Sequence, residues 1–283
     1  MVSPENNRFL ANARIGVSVS ESSDLARLGL TETHLRLTLG EIARMVLLAD
    51  STLVYGGRID ASGYTSFLSG ELERFGQGSK PLVLCLAWSE HRTTKLSELS
   101  NSEEKLKPYG VVTYLDPNGN TLDPSTGRGE EPVELGDDEV SRSLSGLRNY
   151  MIGITNARIL VGGKRSGFQG EIPGLLEEAK LAINADQPLY LAGGFGGITA
   201  DLADSLGLGH GEGSKPPSRE PIDSRAALAL RELAVEAEVE WEINGNGLSR
   251  DDNVKLSNSV RPGEVASLIG AGLRRISASQ EWS

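Results

Sequence analysis

A chain of 283 residues, 38% of them hydrophobic, has material for one large core or two small ones. Its 39 acidic residues against 28 basic ones leave a net charge of −11, which argues against a nucleic-acid partner, because a phosphate backbone calls for a cationic face. The single cysteine, Cys85, excludes an internal disulfide and fits a cytoplasmic protein, and no apolar run is long enough to cross a bilayer, so no membrane partner is expected.

Residues 1–13 are polar and carry no apolar signal region. Arg14-Ile15-Gly16-Val17-Ser18-Val19-Ser20 reads as the first strand. Its exit, Ser20-Glu21-Ser22-Ser23-Asp24, either offers Ser18, Ser20 and Glu21 to a phosphate or ribose, or simply turns and caps the chain. Residues 31–49 repeat Leu35, Leu39, Ile42, Ala43, Val46 and Leu47 at helical spacing, with Thr31 as N-cap and His34 as a surface or capping histidine.

The second strand leads into Leu53-Val54-Tyr55-Gly56-Gly57-Arg58 and on to Gly63 and Tyr64, followed by a helix over 65–75. A third strand over 81–87 holds Cys85 as a small core residue and ends in Trp88-Ser89-Glu90-His91-Arg92. That cluster is either an incidental charged loop or part of a binding rim, with Trp88 and Glu90 as its candidates. A solvated helix over 94–107 and a strand over 111–115 follow. Residues 116–138, rich in Pro, Gly and acids, predict a long surface excursion.

A helix over 140–154 returns the chain to Ile159-Leu160-Val161-Gly162-Gly163-Lys164-Arg165-Ser166-Gly167-Phe168-Gln169-Gly170, and another helix starts near Leu175. Strand, glycine loop and helix start make a natural phosphate cradle, since glycines expose backbone N–H groups and the helix end adds partial positive charge. The pattern recurs a third time after the strand over 188–192, in Gly193-Gly194-Phe195-Gly196-Gly197, before a helix at 201–206. Residues 207–221 form a linker or rim loop, 224–237 a helix, 241–248 is ambiguous, and 265–276 is a final helix ending in Arg274 and Arg275. His210 has no partners at metal-ligand spacing, and neither a metal nor a cofactor is expected.

These motifs resemble the SLOG superfamily, Rossmann-like nucleotide-binding domains that include the LOG phosphoribohydrolases, DNA-processing proteins, and sensor domains of ion channels and bacterial defence proteins. LOG enzymes carry Leu-Val-Tyr-Gly-Gly-Gly, here Leu53 to Arg58, and an Arg-Lys-x-x-Met segment before Pro-Gly-Gly-x-Gly-Thr-x-x-Glu. Here Arg148 and Met151 keep that segment only in part, Val161 replaces the proline, and a longer loop reaches Glu171, Glu177 and Glu178. The resemblance covers 14–207 and implies an α/β, doubly wound, mainly parallel sheet there, while 208–283 reads as a linker and helical extension packed on the same domain. It also implies a nucleotide or ADP-ribose-like ligand and a homo-oligomer.

The ligand-binding candidates are thus Ser18, Ser20, Glu21, Gly56, Gly57, Arg58, Gly63, Tyr64, Trp88, Glu90, Gly162, Gly163, Lys164, Gly167, Gln169, Gly170 and 193–197. For N-glycoside hydrolysis the candidate groups are Arg148 with Glu171, Glu178 and Asp201, although acids in a first helical turn also face the helix dipole favourably with no chemistry at all. Backbone-mediated phosphate binding tolerates the departures better than a fixed Arg and Glu pair does, so binding as the readout of a signal is favoured over hydrolysis. A dinucleotide dehydrogenase fits less well, because the first strand leads to serines and not to Gly-x-Gly-x-x-Gly.

Overall fold

The computed structural model describes residues 9–58, 63–75, 81–209, 221–236 and 245–278. Among them one sheet is built from β1 (Arg14–Ser20), β2 (Thr52–Gly56), β3 (Leu82–Leu86), β4 (Gly110–Leu115), β5 (Thr121–Leu122), β6 (Ala157–Gly162) and β7 (Leu189–Ala192). The spatial order is β5-β4-β3-β2-β1-β6-β7, parallel throughout except for the β4 and β5 pair. The helices are α1 (Glu32–Leu48), α2 (Tyr64–Phe75), α3 (Trp88–Arg92), α4 (Leu96–Leu106), α5 (Asp137–Ile154), α6 (Gly174–Asn184), α7 (Gly197–Ser205), α8 (Ser224–Glu236), α9 (Arg250–Asn258) and α10 (Pro262–Ser277). This is the expected Rossmann-like α/β architecture. No helix among the described residues is long and apolar enough to cross a membrane.

Period-two alternation gives β1 two different faces. Ile15, Val17 and Val19 enter a cluster shared with Leu35, Leu39 and Ile42 of α1 and with Val265, Ile269 and Leu273 of α10. On the sheet's other face Leu147 and Met151 of α5 cover Val54, Ala87 and Cys85. Burial pushes the Cys85 thiol up to about 12, as suits a small core residue. Thr31 starts α1, and its backbone N–H donates to His34 Nδ1 at 3.0 Å, so His34 acts as a capping group.

Among the described residues after Gly207, three helices pack on the elements before it. α8 lies on α6 and α7, α9 on β7, and α10 along α1. Sequence reading missed α9, and it placed the start of α7 at Asp201, four residues after the observed Gly197. Trp88–Arg92 is a helical turn and not an open loop, and β5 lies within the 116–138 excursion. Arg92 and Arg128 tie that excursion down: Arg92 donates to Gly127 O at 3.1 Å and Arg128 to Thr94 O at 2.6 Å. Residues 59–62 of the first glycine loop, His210 with most of 207–221, and 241–244 lie outside the described residues.

The third glycine loop owes its composition to packing. A Cβ on Gly194 would sit 2.1 Å from Ser259 O and one on Gly193 2.7 Å from Ser257 O, so the last turn of α9 and its connection to α10 occupy the space a side chain would need. Gly194→Ala is expected to destabilise the protein by about 1–3 kcal/mol, read as a lower urea midpoint. An unchanged midpoint would mean that the connection moves away freely.

Candidate functional site

From β1 the chain winds outward through β2, β3 and β4, then returns through α5 to β6 on the opposite side of β1. The carboxyl ends of β1 and β6 therefore flank the point where the winding reverses, where open parallel sheets leave a crevice. Register brings the loops together there: Ser20 pairs with Gly162, and Val17 with Tyr55, which sets Gly56 beside Ser18. Gly163 N–H donates to Ser20 O at 3.1 Å and locks the two strand exits. Gly162 and Gly163 have φ of +73° and +99°, which favours glycine at both positions and turns the chain sharply into the following loop.

The crevice has two lobes. The one bounded by α5 and α6, termed the deep lobe, is about 430 Å³ and takes Ser18, Ser20, Gly56, Gly57 and Arg58 from β1 and the first glycine loop, and Glu90 from α3. Its far wall has Arg148 from α5, Lys164, Gly167 and Gln169 from the second glycine loop, and Glu178 from α6. The outer lobe, about 490 Å³, shares Ser20, Gly56, Gly57, Arg58 and Lys164 and adds Glu21, Gly63 and Tyr64. A smaller hollow of about 350 Å³ with Ser22, Ser23 and Ser166 also opens onto Lys164.

The remaining candidates lie outside the crevice lining. Trp88 turns toward α5, where its Nε1–H donates to Glu139 at 2.8 Å and the Arg92 guanidinium covers its ring at 4.5 Å. Gly162, Gly163 and Gly170 are buried in the loop's own turn, and Glu171 is exposed to solvent. Gly193, Gly194, Gly196 and Gly197 pack against protein, and Phe195 is fully buried. Asp201 accepts two hydrogen bonds from Arg165, at 2.5 and 3.1 Å. Arg165 also meets Asp24 at 2.5 Å, and Asp24 accepts the Gly197 N–H at 2.8 Å. Asp201 thus helps to clamp the loop that carries Lys164. Of the two alternatives for Ser22 to Asp24, Asp24 takes the structural one.

Sequence reasoning also missed contributors. Leu144, Leu147, Met151 and Phe168 form an apolar wall of the deep lobe, while Glu32 and Arg36 of α1, paired at 2.9 Å, line the outer one. The helical spacing of Leu144, Leu147 and Met151 was visible, but a core stripe and a pocket wall have the same period. Arg158, the one cation in an otherwise apolar strand, sits directly beneath Glu178.

The charges differ in their freedom. Arg148 is ion-paired with Glu177, and Arg58 donates to Glu90 at 3.1 Å. Burial raises the Glu90 pKa, partly offset by Arg58. Burial likewise pushes Tyr64 up to about 12, which keeps it a phenol donor. Lys164 is exposed and has no ion-pair partner among the described residues. Close by, α6 begins at Gly174 without a side-chain cap, and Gly174 and Leu175 face the deep lobe.

The family model described as SLOG cluster2 matches residues 9–227. No curated protein and no solved structure matches the chain. The matched span is well over half of the chain and holds every strand of the sheet and all the crevice residues named above. The chain belongs to the SLOG family.

Proposed function

We propose that the crevice binds a nucleotide or ADP-ribose-like ligand by its phosphate, as the readout of a signal. The observation that carries this reading is Lys164: it borders both lobes and stands on a glycine loop with no ion-pair partner among the described residues. Together with the uncapped start of α6 it supplies a cation and a helix-end dipole to one anionic group. The apolar wall of Leu144, Leu147, Met151 and Phe168 suits the flat face of a base.

N-glycoside hydrolysis is the second reading, favoured by the placement of Arg148 and Glu178 in the same lobe. Such cleavage calls for a carboxylate near the ribose and a cation for the phosphate or leaving group. Arg148 is already engaged with Glu177, while Glu171 and Asp201 lie outside the lobe, which supports binding over cleavage. Incubation with AMP, NAD and ADP-ribose followed by chromatography is expected to return intact ligand. Free base or ribose phosphate, lost in Glu178→Gln, would replace the sensor reading with the hydrolytic one.

A further inference from the structure

Beneath the deep lobe lies a polar network that phosphate binding alone does not require. Arg158 is 1% exposed, and its register partner across β1 is Gly16. A Cβ on Gly16 would lie 2.9 Å from the Arg158 Cζ and Nη1, so the glycine makes room for the guanidinium. Arg158 Nη1 donates to Glu178 Oε2 at 3.1 Å and Nη2 to Thr155 Oγ1 at 3.4 Å, while its Nε is buried without a partner. The Ser18 hydroxyl donates to the same Glu178 Oε2. Glu178 Oε1 accepts from no described residue, and Glu178 lines the lobe.

A buried guanidinium with an unmet donor is costly to fold around, and its retention points to a task at the group it holds. Resting on the nucleotide reading above, we propose that Arg158 is a positioning residue that fixes the Glu178 carboxylate, so that its free oxygen accepts a hydroxyl of the ligand's ribose. The placement follows from α6. Glu178 is four residues on from Gly174, about one turn inward on the same side of the helix. With phosphate at the helix start and Lys164, the unit one turn deeper is the sugar bonded to that phosphate.

The test compares AMP, 2′-deoxy-AMP and 3′-deoxy-AMP by titration calorimetry. The wild-type protein is expected to prefer AMP to one deoxy analogue by about tenfold, the value of a charge-assisted hydrogen bond. Glu178→Gln should reduce that ratio to about twofold. Arg158→Lys, which keeps the charge but not the planar fork, should reduce it to about threefold. A residue that merely fills space would weaken all three ligands alike and leave the ratio intact, so an unchanged ratio in Arg158→Lys overturns the proposal. Should that variant not fold, Arg158→Gln is read in its place on the same criterion, and an unchanged ratio in Glu178→Gln overturns the proposal independently. Equal wild-type affinity for all three overturns it while sparing the nucleotide reading; binding of none overturns both.

Discussion

Asp24→Ala is expected to lower the unfolding free energy by about 3–5 kcal/mol, because it takes one of two carboxylates from a buried cation and the acceptor from a buried N–H. Asp24 is fully buried, accepts from Arg27 and the Gly197 N–H, and faces Arg165, which is itself nearly buried. Removing it leaves Asp201 as the acid paired with Arg165 and frees the start of α7. Burial alone would raise the Asp24 pKa, but the hydrogen bonds from Arg165, Gly197 and Arg27 outweigh it and hold the group at about 2. A folded-state pKa below the unfolded one stabilises the protein above about pH 4, and that contribution, about 2 kcal/mol, is lost as the pH falls toward 2. Urea unfolding at pH 7 and pH 3 therefore should show the wild-type advantage over Asp24→Ala shrinking at the lower pH. A variant within 1 kcal/mol of wild type at pH 7, judged against that roughly 3–5 kcal/mol expectation, would remove the clamp from the account.

Lys164→Glu is expected to weaken a phosphate-bearing ligand about a hundredfold, since it removes one charge-assisted hydrogen bond and sets a like charge beside the anion. The overall net charge of −11 makes the local cation count for more, because long-range attraction is not available to the ligand. The side chain is exposed, so thermal unfolding should stay close to wild type. A loss of less than about threefold would place the phosphate elsewhere than on Lys164.

The sheet was readable because its strands are short apolar runs, three of them ended by double glycines, and β1, β2, β3, β4, β6 and β7 all lie where those runs fall. The polar helix α9 was not, since its Arg-Asp-Asp-Asn-Val-Lys-Leu-Ser-Asn carries few apolar residues; the legible signal was Ser249 as N-cap with Asp251 and Asp252 in the first turn. Three glycine loops looked alike in sequence. The first two border the crevice, whereas the third is filled by Ser257 and Ser259, more than sixty positions away and beyond the reach of local pattern. Asp201 misled for the same reason: an acid near a glycine loop reads as chemistry until its pairing with Arg165 is seen. Arg158 was the reverse case, a lone cation in a buried strand whose oddness was visible but whose partner on α6 was not.

The central claim, a phosphate-binding crevice at the β1 and β6 exits, is tested most directly by calorimetric titration of the folded protein with AMP, NAD and ADP-ribose. The account predicts saturable binding of at least one of them, weakened about tenfold by Lys164→Ala. No heat with any of the three at several temperatures, with circular dichroism confirming the fold, would contradict it.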